Sequence, residues 1–315
     1  MKVGFISIFI VALTVVSEAK TIAQPVGRIK VGESTTWMTT TNGCYRISPA
    51  HDSTLDSIVR VVKEKHYDNL PVGECITSIG KLLVSKPYID KSLEVTNDES
   101  MTVCNLLGFD CVTFFETSWA LATTVISYGA PSYADYVGEV TNHRYRDGIR
   151  NGFSSRLHYT SDYFYDNARR GTLKEMTKSI GGNVVKLEKK AIDFMSKHPN
   201  LYAQLAADPT MVAKIDSIEK KIAARGGFYY IPKEDVAKIE KGIHTGDIIG
   251  ITTSIAGIDC SHTGIAIKGK DGRIHFMHAS SAMHKVIVSP TPLADYLEGN
   301  GKQTGIIIYR PLEPK

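Results

Sequence analysis

The hydrophobic pattern of this chain changes period along its length, and that change limits the fold more than any other feature. From Asp110 to about Tyr128, Phe115, Trp119, Ala122 and Ile126 recur at helical spacing. Leu55–Lys65 repeats the pattern with Leu55, Ile58, Val59 and Val62, and Cys75–Val84 reads as a further helix. In the last third the period falls to two. Asp247–Thr253, His262–Lys268, Arg273–Ala279 and Thr304–Tyr309 read as antiparallel strands. Helices first and strands later exclude alternating βαβ units and predict an α+β domain. Thr172–Arg225 reads as helices interrupted by Pro199 and Pro209, part of a helical insertion over about 172–240. Residues 142–167 are dense in Tyr, Arg, His and Asp with little periodicity, and are expected to form a long ordered loop with a binding role.

The first 20 residues carry a different signal. Lys2 precedes an apolar run from Val3 to Val16, and Ser17-Glu18-Ala19 supplies small residues for cleavage. A removable leader over 1–19 is expected, with residues 20–315 as one mature domain in the periplasm or secreted. No later run is apolar enough to span a bilayer. Thr21–Ile47, rich in Thr and Gly, is expected to wind over the surface. The formal net charge of +4 is spread along the chain, so nucleic acid is not an expected partner. "KLEKK" at Lys186–Lys190 and "EKKIAAR" at Glu219–Arg225 read as solvated helix faces. Five cysteines leave at least one thiol free, and pairing among Cys44, Cys75, Cys104 and Cys260 cannot be read from spacing. Ligand spacing for a structural zinc does not occur, and neither a metal nor a cofactor is expected.

Chemistry is expected at Cys111. Gly108 and Asp110 form a turn and N-cap before a helix, which places the thiol in the first turn. Unpaired N–H groups there favour an anion and should lower the thiol pKa. Cys111 could equally be a small buried apolar residue, as many free cysteines are. His262 shares a strand face with Gly264 and Ala266, whose small size would leave room for a packed helix. His278 would hold the His262 ring from its far nitrogen. That pairing requires a three-residue loop, Lys270-Asp271-Gly272, with Gly272 left-handed and position 264 opposite 278. Cys260 lies only two residues from His262, but a strand follows it and no helix, so it reads as structural. His275 and His284 read as surface residues.

The order of "FDCVTFFE", "HTGIAI" and "RIHFMHASS" resembles the NlpC-type cell-wall cysteine peptidases, and more closely their N-acetylmuramoyl-L-alanine amidase-like branch. "PYIDKSLE" and "YRDGIRNGFSSRLHYTSDYFYDN" extend that resemblance over nearly the whole mature chain. It implies a papain-like core, with N-terminal helices packed on a C-terminal antiparallel sheet. It also implies Cys111 as nucleophile, His262 as base, His278 as the orienting group and Tyr88 beside the nucleophile. The related peptidases carry Asp-Cys-Ser where this chain has Asp110-Cys111-Val112. Val112 cannot help hold a free amine, which favours a substrate whose alanine is acylated by muramic acid. The resemblance thus implies hydrolysis of the muramoyl–L-alanine amide in small anhydro-muropeptides, with disaccharide-peptides as partners. Asp110, Arg156, His158, Tyr159 and Asp162 are candidate substrate contacts. A γ-D-glutamyl–diaminopimelate endopeptidase, an acyltransferase and a non-catalytic glycan-binding protein are the rival readings.

Overall fold

A computed structural model describes residues 36–40, 43–47, 49–94 and 99–314. The expected leader lies outside them. The first described residues form a hairpin of β1 (Thr36–Thr40) and β2 (Gly43–Ile47), where the sequence suggested a winding surface segment. Two helices follow as expected, α1 (Pro49–Glu64) and α2 (Val72–Leu82).

Helix α3 (Cys111–Tyr128) is apolar on nearly every side, the pattern of a helix with no solvent face. It is buried accordingly, from Cys111 through Phe114, Phe115, Trp119 and Val125. Helix α4 (Tyr133–Arg144) packs beside it. Arg144 donates to Glu116 inside the core at 2.5 and 2.9 Å and to the Val103 carbonyl at 2.5 Å, which balances two charges that would be costly alone.

The segment 142–167 departs from its expected form. Two 3-10 turns, Arg146–Gly148 and Phe153–Ser155, lead into α5 (Thr160–Arg170). Its buried face carries Asp162, Asp166 and Asn167 beside Tyr163 and Phe164, so the apolar periodicity is weak although the helix is formed. Arg146, Arg169, Arg170 and Arg225 satisfy those carboxylates.

The insertion is mixed, not wholly helical. Three strands, β3 (Leu173–Glu175), β4 (Lys186–Glu188) and β5 (Phe228–Pro232), interleave with helices α6 (Thr177–Gly181), α7 (Phe194–Lys197), α8 (Ala203–Ala207), α9 (Pro209–Ala223) and α10 (Lys233–Ile239). Lys186–Glu188, read as a helix face, is thus a strand. Pro209 does not break a helix; it opens one at a position where its missing N–H costs nothing.

The main sheet is antiparallel in the order β4-β5-β10-β6-β7-β8-β9, with β3 also on β10. Its principal strands are β6 (Ile248–Thr253), β7 (Cys260–Lys268), β8 (Ile274–Ser280), β9 (Lys285–Pro292) and β10 (Gln303–Pro311). Ile265, Ile267 and Met277 face the cluster formed with α2 and α3. Ala266, Phe276, Ile249 and Ile251 face α10 and α11 (Leu293–Glu298). Helices therefore cover both faces of an antiparallel sheet, an α+β arrangement. Among the described residues, no helix is long and apolar enough to cross a membrane.

Candidate active site around Cys111

Asp110 fixes where the sulfur sits. Its Oδ1 accepts the N–H groups of Val112 and Thr113 at 3.0 and 2.8 Å, while Thr113 Oγ1 accepts the Asp110 N–H at 2.9 Å, a reciprocal cap that starts α3 at Cys111. The other oxygen accepts the Ser92 hydroxyl at 2.6 Å. Both carboxylate oxygens are therefore engaged by the protein, where the sequence offered Asp110 as a substrate contact.

The β7–β8 hairpin has the required register. Ile265 pairs with Met277 and Lys268 with Ile274, the turn closes through Gly269 N–H to the Arg273 carbonyl at 2.8 Å, and Gly272 is left-handed at φ 79°. Extended by one pair, this ladder sets 264 opposite 278. His262 Nε2 and His278 Nδ1 stand 2.7 Å apart as a result. The space beside Gly264 is filled differently from the expectation, however. A Cβ there would lie 2.8 Å from the Phe276 ring and 2.6 Å from the Met277 carbonyl oxygen, so Phe276 takes that room and no helix does. Helix α3 instead covers the opposite face, and Cys111 reaches β7 through the hydroxyl and backbone of Thr263, the neighbour of His262.

Electrostatics give a neutral resting centre. Burial, seconded by the Asp110 charge, pushes the Cys111 thiol up to about 12, with Thr263 pulling weakly the other way. The first-turn position was expected to lower it, but a residue only 4% exposed loses more hydration than the helix end returns. Burial likewise holds half-buried His262 down at about 4 and His278 well below the ordinary imidazole range. One nitrogen of the histidine pair must then donate and the other accept.

Two tyrosines lie within electrostatic reach of the thiol. Tyr88 is bridged to Phe109 just before α3, and its hydroxyl is pushed up by burial and by Cys111, Asp110 and Asp90. Tyr296 on α11 was not anticipated. Its ring lies 5.3 Å from that of His278 and 5.5 Å from Phe276, and burial and the Cys111 charge raise its hydroxyl to about 12. It therefore touches His278 and lies within electrostatic reach of the thiol. No local pattern in "LADYLE" marks this residue; only the packing of α11 on the sheet brings it there.

Four other candidates lie elsewhere. Arg156 pairs with Glu99 at 3.4 Å and covers the Phe153 ring. His158 Nε2 meets the Phe153 carbonyl at 2.9 Å. Tyr159 donates to Glu219 at 2.6 Å and accepts from the Met195 N–H, and Asp162 pairs with Arg146 and Arg225. All four are buried; Tyr159 ties 142–167 to α7 and α9, and Asp162 ties it to Arg225 just after α9. Cys260 is buried with its thiol pushed up and its side chain bonded to Thr160. Cys75 and Cys104 are free thiols too, and the Cys44 side chain lies outside the described residues. Among the described residues, no group of His, Cys, Asp and Glu has the makings of a metal site.

An α+β sheet bearing a capped cysteine helix on one face and a histidine pair joining β7 to β8 defines the class of site. Residues 78–306 match the AmiA-like, N-acetylmuramoyl-L-alanine amidase-like family model, and the chain belongs to that family. A crystal structure described as an N-acetylmuramoyl-L-alanine amidase from Bacteroides uniformis is 34% identical. The match covers 76% of this chain and 99% of that one, with a TM-score of 0.68. A Bacteroides fragilis structure carrying the provisional description of a xylanase is 35% identical over 73% and 98% of the two chains, at TM-score 0.66. A Legionella pneumophila protein shares the fold at 23% identity, 84% and 96% coverage, and TM-score 0.62. No curated protein matches the chain.

Proposed function

We propose that the protein is a cysteine amidase that hydrolyses the N-acetylmuramoyl–L-alanine amide of peptidoglycan fragments, with anhydro-muropeptides as preferred substrates. A papain-like, NlpC-type core, a removable leader over 1–19 and a periplasmic or secreted location belong to the same reading. The observation that carries it is the 2.7 Å contact of His262 Nε2 with His278 Nδ1, on the strand whose Thr263 adjoins the Cys111 sulfur.

If His262 donates from Nε2 to His278, its Nδ1 lone pair is left to accept the thiol proton. The sulfur, losing that proton to Nδ1, adds to the lactyl carbonyl carbon, and the carbonyl oxygen becomes an oxyanion. Tyr88, kept protonated by its surroundings, and the backbone N–H of Cys111 are the donors proposed for that oxygen, each worth roughly 3 kcal/mol in comparable sites. Collapse breaks the C–N bond, and His262 returns its proton to the alanine nitrogen. Water, deprotonated by the same imidazole, then splits the thioester and restores the thiol.

The test is a defined disaccharide-tetrapeptide with product masses read out. Release of an intact tetrapeptide by the wild type, lost in a folded Cys111→Ala variant, is expected. Cleavage between D-glutamate and diaminopimelate would instead make the protein an endopeptidase, and turnover by Cys111→Ala would end the proposal. A glycosidase, the reading that the Bacteroides fragilis description invites, would need two carboxyl groups facing a glycosidic bond. Here the Asp110 carboxylate is taken up by the helix cap and Ser92.

A further inference from the structure

A cavity lies away from the Cys111 centre. It has a volume of about 960 Å³ and opens between α5, the C-terminal end of α9, β5 and the segment following β4. None of Cys111, His262, His278, Tyr88 or Tyr296 lines it. Its size is that of a pocket able to enclose a small organic ligand.

The walls carry more positive charge than they balance. Arg169 is compensated by Asp147 and Asp166, and Arg225 by Asp162. Lys178 and Lys189 are not: among the described residues, no ion pair joins either of them to a carboxylate, and Glu175 is the one acidic side chain in the lining. Lys190 Nζ is held instead by the carbonyl oxygen of Thr253. Glu188 and Asp259 offset its charge in part from outside the lining, so the field acting on the cavity is chiefly that of Lys178 and Lys189.

Flat apolar surface accompanies the charge. Tyr229 and Tyr165 are 43% and 45% exposed, unusual for rings in a chain that buries most of its aromatics. Each is backed by a cation: Lys178 Nζ lies 4.8 Å from the centre of the Tyr229 ring, and the Arg225 guanidinium 3.9 Å from that of Tyr165. Such stacking holds the rings in place at the rim, with Phe228 and Tyr309 behind them. Rigid amphipathic rings beside unneutralised lysines match a ligand with a flat apolar face and an anionic substituent.

We propose that this cavity is a non-catalytic site for an anionic saccharide, a carboxylate-bearing pyranose stacked on Tyr229 or Tyr165 with its charge toward Lys178, Lys189 and Lys190. The site acts independently of the chemistry at Cys111. The test uses the mature full chain and N-acetylmuramic acid as probe, titrated by calorimetry, with N-acetylglucosamine as the uncharged comparison. Binding is expected in both wild type and Cys111→Ala, and the part due to this cavity is the part that its lysine and tyrosine variants remove. Affinity should fall at least tenfold in Lys178→Ala/Lys189→Ala and in Tyr229→Ala, and weaken with added salt. These side chains are solvent-exposed, and muropeptide turnover in the variants should stay at the wild-type level, which also reports that they fold. Absence of binding, equal binding of N-acetylglucosamine, or unchanged affinity in the lysine variant would each overturn the proposal. Loss of muropeptide turnover in the wild type would overturn the amidase reading and leave this one standing.

Discussion

Lowering the pH from 7 to 5 should remove about 2 kcal/mol of stability through His262 alone. The ring's pKa drops from 6.5 to about 4 on folding because burial disfavours its charged form. In that window the unfolded chain takes up a proton that the folded one refuses, so stability rises with pH and is lost as pH falls from about 6.5 toward 4. At ~1.4 kcal/mol per pKa unit the full loss is roughly 3 kcal/mol, most of it present by pH 5. His278, His158 and His143 are held low by burial as well and act in the same direction. Buried Glu116 and Asp259, whose pKa values are raised, act oppositely as they protonate. Urea unfolding of wild type and His262→Gln at both pH values separates these contributions, because all but the His262 contribution is shared. The variant should lose about 2 kcal/mol less than the wild type between pH 7 and 5. An equal loss in both would show that His262 is solvated and titrates normally, and would undo the electrostatic description of the centre.

Asp110→Ala should cost about 1–2 kcal/mol through the lost cap, while Asp110→Asn, which still accepts hydrogen bonds, should retain most of it in thermal unfolding. Glu116→Gln leaves the buried Arg144 charge unbalanced, at roughly 3–5 kcal/mol by urea unfolding, and Glu116→Leu combined with Arg144→Met should recover most of that loss. Gly264→Ala puts a methyl group against Phe276 and should destabilise by about 1–3 kcal/mol. It should also lower kcat more than it changes KM, since Phe276 stacks on His278.

The elements legible in the sequence were those with strong periodicity. Helix α3 begins one residue after its marked cap and ends at Tyr128, and β6, β7, β8 and β10 match their alternating runs within two residues. Strand β9 was hidden by Pro290 and Pro292, tolerable because β9 is the last strand of the sheet and its outer contacts, to residues 85–87, are made at Lys285 and Val286, away from the prolines. Strands β3 and β4 have three residues each, too few to show a period. Helix α5 was missed because its inward face is made of carboxylates and an amide paired with arginines distant in sequence. At the candidate site, Cys111, His262 and His278 are proposed from the cap, the strand phase and the hairpin loop, all local signals, and the structure brings the two histidines into contact. The burial that controls their protonation, and the arrival of Tyr296, depend on long-range packing that no local pattern encodes.

That protonation state sets the shape of the pH–rate profile. With the thiol at about 12 and His262 at about 4, the competent resting form carries neutral sulfur and neutral imidazole, and it prevails at every pH between those values. A thiolate–imidazolium pair formed in advance would instead give a bell whose acid limb reports the thiol, commonly near or below neutrality in activated cysteines. On the proposed amidase reaction, kcat/KM should therefore be flat from about pH 5.5 to pH 9 and fall below that as His262 protonates. Proton transfer from sulfur to nitrogen would accompany attack, so the rate should slow by roughly a factor of two in deuterated water. Iodoacetamide should modify Cys111 more slowly than a free cysteine at pH 7, since thiolate is the reacting species. An acid limb above pH 6, together with alkylation faster than that of free cysteine, would mean that the sulfur is charged before substrate arrives. In that case the helix end and His262 together stabilise the anion by more than its burial costs.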